Sequence, residues 1–150
     1  MAIAINGSGT ITGISAGGLP DGVITTDDIA ANAVTYAKIG TTEQGQLCKA
    51  WVNFNGTGTV AIRASYNVSS ITDNGTGDYT VNFTTALADG NYNFVIAGRE
   101  TATAAGRSDL SIQARSSSGS YVSGSIRVMS CYASDANVFD AETVCVAIFR

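Results

Sequence analysis

Two pairs of carboxylates stand close enough along the chain to serve as a general acid and its partner. Asp73 and Asp78 flank Asn74-Gly75, and Asp135 and Asp140 share a late loop. A glycosidase holds two such groups about 5–9.5 Å apart and raises the pKa of one. Aspartate in turns has a competing role, since its side chain bonds nearby backbone amides, and that role is the one favoured here. Nucleophilic chemistry finds less support. Serine or cysteine needs a base within hydrogen-bond reach, the chain has no histidine, and Lys38 and Lys49 are its only side-chain amines. Asn55-Gly56-Thr57-Gly58-Thr59 lacks the Gly-Lys-Ser/Thr ending of a phosphate loop, and a hairpin explains it. Cys48, Cys131 and Cys145 have no Cys-x-x-Cys spacing, so a metal centre is not expected. The residues therefore point to a protein that is not an enzyme and carries no cofactor.

Composition supports this reading. The 150 residues carry 12 acids and 8 bases, a net charge of −4, and charged residues make up 13 %, about half of the ~25 % usual in globular domains. Ser, Thr, Asn and Gly together account for 59 positions. With no basic excess to release counterions from phosphates, nucleic acid is not an expected partner. No apolar run approaches the ~18 residues of a membrane span, so membrane insertion is not expected. The N-terminal residues resemble neither a signal peptide nor an anchor, and scattered cysteines fit a reducing cytosol.

The positioning elements divide near residue 48. Residues 1–24 alternate weakly among Gly, Ser and Thr and end on Gly17-Gly18-Leu19-Pro20-Asp21-Gly22, a turn or linker. Residues 25–47 hold a helix signal over Thr25–Gly40: a threonine cap, two acids in the first turn, Lys38 in the last, and Gly40 as a stop. Ile29, Ala33 and Tyr36 or Ala37 would share one face of it. A helix of about 12 residues is marginal alone in water, so it needs a partner.

From Cys48 to residue 150 the period becomes 2, in runs at Trp51–Asn55, Val60–Ala64, Tyr66–Ile71, Tyr79–Phe83, Tyr92–Gly98, Leu110–Arg115, Tyr121–Tyr132 and Thr143–Phe149. Asn55-Gly56 and Asn74-Gly75 supply positive-φ residues for tight hairpins. About eight strands at this spacing predict a mainly β domain, an antiparallel β-sandwich. Ile126, Val128, Val144, Val146 and Ile148 form its expected core face, with Arg127, Met129, Cys131 and Cys145 pointing the other way. A hairpin centred on residue 138 would set Cys131 opposite Cys145; a disulfide is conceivable there, and buried thiols are favoured. Alternation does not settle the face of Trp51, for which packing is favoured over sugar stacking.

Ala50-Trp51-Val52-Asn53-Phe54-Asn55-Gly56-Thr57-Gly58-Thr59 and Ile62 to Phe83, including Tyr66-Asn67-Val68-Ser69-Ser70-Ile71 and Asp73-Asn74-Gly75-Thr76-Gly77-Asp78-Tyr79, closely resemble a module of tailed-bacteriophage tail-fibre proteins. Asp21 to Val34 is similar to the linker leading into such modules, and Cys145-Val146-Ala147-Ile148-Phe149-Arg150 to their closing strand. The resemblance implies a virion component assembled in the host bacterial cytoplasm: a parallel homotrimer whose C-terminal β-domain meets the host surface. The helix residues Ile29, Ala33, Tyr36 and Ala37 would line the trimer axis, and residues 1–24 would dock on other virion proteins. Only about 48 residues precede the β-domain, which keeps a capsid head fibre or decoration protein without receptor binding as the alternative, and a glycan-degrading tailspike as a remote one.

A receptor, such as a bacterial surface glycan, would be met by the strand-connecting loops at residues 101–109, 116–121 and 133–141. Arg107, Tyr121, Asp135 and Asn137 offer a cation, an aromatic platform and acceptors for it.

Overall fold

The computed structural model describes residues 4–5, 11–12, 24–100, 109–115 and 119–150. The chain forms two compact units, residues 1–40 and 41–150.

In the first unit, β1 (Ala4–Ile5) pairs antiparallel with β2 (Ile11–Thr12). The helix expected over Thr25–Gly40 does not form. Its place is taken by two single 3-10 turns, Thr26–Asp28 and Tyr36–Lys38. The local start and stop signals still act. Thr25 donates from its backbone nitrogen and its hydroxyl to Asp28 Oδ2, each at 2.8 Å, and Lys38 Nζ donates to the Ala33 carbonyl at 2.7 Å. Between the turns Asn32 sits at φ +64°, a left-handed conformation that interrupts any continuous helix. Ile29, Ala33, Tyr36 and Ala37 therefore share no helical face. Neither turn buries a residue, and Ile24, Ile29, Val34 and Tyr36 are exposed. Without apolar packing, helical propensity over so few residues does not meet the cost of nucleation.

The second unit opens with the short helix α1 (Thr41–Gln46) and continues as strands β3 (Cys48–Asn55), β4 (Ala61–Tyr66), β5 (Val68–Gly75), β6 (Asp78–Phe83), β7 (Asn93–Arg99), β8 (Leu110–Ala114), β9 (Tyr121–Val122), β10 (Ser125–Tyr132) and β11 (Thr143–Phe149). One sheet has the order β4-β3-β11-β7 and the other β5-β6-β10-β8, with β9 added beside β10; all pairings are antiparallel. The inward residues of both sheets meet in one core. Ala50, Val52 and Phe54 pack with Val144, Val146 and Ile148 from the first sheet and with Tyr79, Val81, Ile126 and Val128 from the second. The sandwich and the core face read from the alternation of β10 and β11 are thus present. Each large apolar side chain fully buried there contributes roughly 1.5–3 kcal/mol relative to exposure.

Three expectations about turns and pairing are corrected. The run Tyr66–Ile71 is not one strand. It breaks at Asn67, φ +54°, the single residue between β4 and β5, and there the chain leaves one sheet for the other. The Asn67 side chain fixes the crossing: its Nδ2 donates to the carbonyls of Lys49 and Thr85 at 3.1 Å each, and its Oδ1 accepts from the Thr85 amide at 2.8 Å.

The turns also differ. Gly75 has φ +124°, but the two residues between paired Gly75 and Asp78 are Thr76-Gly77. After Asn55 the positive φ belongs to Gly58 rather than Gly56. Gly56 is small for another reason: a Cβ there would lie 2.6 Å from the Tyr79 hydroxyl and 2.7 Å from the Ala141 carbonyl oxygen.

Finally, β10 and β11 do not form a hairpin but lie in different sheets, so Cys131 and Cys145 do not face each other. All three cysteines are free thiols; Cys131 is buried and Cys48 and Cys145 are partly exposed.

Candidate functional site

The sandwich presents two outer faces of opposite character. On the β4-β3-β11-β7 sheet, cross-strand partners align Tyr66, Trp51, Ala147 and Val95 in one row and Ala64, Asn53, Cys145 and Ala97 in the next. Trp51 is 40 % exposed, Tyr66 59 % and Val95 56 %. This settles the orientation of the indole, which points away from the core. Trp51, Asn53, Val95, Ala97, Cys145 and Ala147 line a shallow, almost wholly apolar groove of about 250 Å³. Arg63 closes one end of this face. At the register shift between Asn53 and Phe54 its guanidinium donates to Asn53 Oδ1, the Phe54 carbonyl and Thr143 Oγ1, each at 3.2 Å, and to the Glu142 carbonyl at 2.7 Å. It ties β3 and β4 to the start of β11.

The outer face of the other sheet is polar. Asn82 Nδ2 donates to Thr72 Oγ1 at 2.9 Å and Ser70 Oγ at 3.2 Å, and Asn74 Nδ2 donates to Thr80 Oγ1 at 2.9 Å. This ladder of hydroxyls and amides ends on a charged triad. Asp78 on β6 accepts from Arg127 Nε at 2.7 Å and Nη2 at 2.8 Å, and Arg115 Nη1 lies 3.0 Å from Asp78 Oδ2. Asp78 is buried beneath the two guanidiniums. The hydrogen bonds from Arg127, joined by the charge of Arg115, hold its carboxyl below the ordinary aspartate range against the desolvation that would raise it.

The carboxylates weighed for catalysis each hold structure. Asp78 is committed to the triad. Asp73 Oδ1 accepts from the Gly75 amide at 2.9 Å, and Asp135 Oδ1 from the Asn137 amide at 3.1 Å, both local turns. Asp140 Oδ1 accepts from the Gly77 amide at 2.7 Å and lies 2.9 Å from the hydroxyl of the fully buried Tyr79. Burial first, and then this carboxylate, push the Tyr79 phenol well above its usual pKa. Among the described residues no group of three or more Cys, Asp or Glu could hold a metal ion.

The expected receptor residues are not gathered at one place. Tyr121 lies in β9 beside Ile126, near the start of β10, with its ring against Tyr92 and Phe94 at centroid distances of 6.3 and 5.4 Å. Asp135 and Asn137 follow the far end of β10, where the Asn137 carbonyl accepts from the Tyr132 amide at 3.0 Å. The six steps from Ile126 to Tyr132, at ~3.3 Å each, separate the two groups by about 20 Å. Arg107 lies outside the described residues. The triad is not legible in the sequence, because no short-range pattern joins Asp78 to Arg127, 49 positions apart.

Comparison with known protein families, curated proteins and solved structures finds no match to this chain.

Proposed function

We propose that the chain is a structural virion protein, a homotrimeric phage fibre or spike that displays its β-sandwich for attachment to the bacterial surface. One observation carries the reading: the sandwich has an apolar outer face, centred on Trp51 and Tyr66, and a hydroxyl- and amide-rich outer face, centred on Asp78 and Arg127. An exposed apolar face favours covering by another protein surface. The polar face suits a hydrated, hydroxyl-bearing receptor. The exposed Ile24, Ile29, Val34 and Tyr36 add a second surface that sister chains would bury, in place of the helical seam. Three copies on one axis raise apparent affinity without strong single contacts. The weak charge and hydroxyl-rich composition limit non-specific sticking.

Light scattering of the purified chain tests the assembly, with a particle three times the 15.3 kDa chain mass expected. Adsorption of the labelled protein to bacterial cells tests attachment. A trimer that adsorbs to no cell type but coats phage heads would favour the decoration alternative. A stable monomer at high concentration, with its apolar face uncovered, would overturn the trimeric reading.

A further inference from the structure

The geometry points to the Arg115–Asp78–Arg127 triad as a binding site for an acidic saccharide, one bearing a carboxylate or phosphate beside its hydroxyls. It rests on the attachment reading for its biological setting, and its chemistry stands on the triad alone.

Two guanidiniums share a single carboxylate, so the cluster carries one more positive than negative charge. That excess stands out in a chain of net charge −4. Asp78 engages Nε and Nη2 of Arg127 and Nη1 of Arg115. A guanidinium has five N–H donors, so each arginine keeps donors beyond those that Asp78 takes. Both side chains are about one-third exposed, at 38 % for Arg115 and 34 % for Arg127, while the carboxylate that orients them is buried. The forks are thus held in place before a ligand arrives, which reduces the ordering cost of binding. Planar donor pairs match carboxylate and phosphate oxygens, which accept two parallel hydrogen bonds.

The neighbours on this face complete the match to a sugar. Thr80 pairs across the strands with Arg127, and Thr72 with Thr80. Asn74, Asn82 and Ser70 continue the same ladder. These groups both donate and accept, as ring hydroxyls do. No second carboxylate belongs to the triad to repel an anion. Arg115 Nη1, the nitrogen that faces Asp78, also donates to Met129 Sδ at 3.3 Å, which further fixes the guanidinium in place.

The test is titration of the full folded chain with three probes, read by the Nε–H resonances of Arg115 and Arg127. The probes are a glucuronate-containing tetrasaccharide, the same tetrasaccharide with its carboxyls reduced to alcohols, and inorganic phosphate. The acidic tetrasaccharide is expected to shift both arginine signals. Its affinity should fall at least tenfold in Arg115→Gln and weaken as salt rises, with Arg115→Lys falling between. Lys38→Gln, which removes a like charge from the other unit, should leave binding unchanged. A response to phosphate and not to glucuronate would assign the ligand to phosphorylated saccharides and support the site.

Equal binding of the reduced tetrasaccharide, or full binding by a folded Arg115→Gln, would overturn the proposal. So would wild-type shifts that avoid both arginines for every probe, a result independent of whether any variant folds. Adsorption to cells that persists after such a failure would leave the attachment reading intact and remove only this one.

Discussion

Arg127 grips Asp78 through two parallel hydrogen bonds, 2.7 Å from Nε and 2.8 Å from Nη2, across the paired strands β6 and β10. The pair lies on the outer face of the sheet, yet the carboxylate is buried by the side chains that bind it. Removing its charge leaves two guanidiniums facing a neutral group. Asp78→Asn should cost about 2–4 kcal/mol, measured by urea unfolding at neutral pH. Because Asp78 has a lowered native pKa, its contribution is full above the unfolded-chain value of 3.8 and is lost as pH falls through the lower native value. Wild type should therefore lose stability on acidification below about pH 4, and Asp78→Asn should show a shallower loss over the same interval.

Gly56 and Tyr79 form a second long-range contact. The Tyr79 hydroxyl lies 2.9 Å from both the Gly56 carbonyl and Asp140 Oδ1, and the Gly56 amide donates to the Ala141 carbonyl at 3.0 Å. Tyr79→Phe should cost about 1–2 kcal/mol by taking the hydroxyl donor away from the buried Gly56 carbonyl. Gly56→Ala should cost about 2–3 kcal/mol, because its methyl meets both a hydroxyl and a backbone oxygen at under 3 Å. In the double variant the cost should be less than additive, since loss of the hydroxyl relieves the 2.6 Å clash and leaves those with the ring carbon Cζ at 2.9 Å and the backbone oxygen at 2.7 Å. Additive thermal or urea data would show that the two positions do not share this contact.

Trp51 tests the apolar face. It is partly exposed in the chain, so Trp51→Lys should change the stability of an isolated subunit by no more than about 1 kcal/mol. In the proposed trimer it should shift the particle toward monomer in sedimentation velocity. An unchanged particle mass with the charge in place would remove this face from the assembly.

The thiols offer a topological check. Cys145 lies on the outer face of one sheet, in the groove beside Trp51, and Cys131 lies in the other sheet, where Gln113 Nε2 donates to its sulfur at 3.1 Å. Packed sheets are about 10 Å apart, beyond the Cα separation a disulfide spans. Mild oxidation should produce no Cys131–Cys145 bond by peptide mass analysis. A soluble maleimide should label Cys145 and Cys48 well before Cys131, which is buried.

Period-2 alternation placed most of the β-strands from Cys48 on, because a strand's two faces are set by its own residue order, but it ran β4 into β5 across Asn67 and β9 into β10 across Ser123-Gly124, where the breaks are made by turns. It also marked Ile126, Val128, Val144, Val146 and Ile148 as core, and each is almost fully buried. The short helix fared differently. The Thr25 and Lys38 signals were real, but they act over single turns, and Asn32 takes a left-handed conformation between them. A local signal selects where a helix begins; apolar packing decides whether it persists.

The sequence by itself determined most of the strands, the inward residues of β10 and β11 and a weakly charged, hydroxyl-rich composition, since these depend on residue type and near-neighbour spacing. Tertiary structure alone decided which strands pair, that the chain changes sheets at Asn67, that Trp51 faces outward, and that Arg127 and Arg115 converge on Asp78. Those facts rest on contacts between residues tens of positions apart. Such contacts are chosen by how two twisted sheets bury one shared core, for which no single segment carries the information.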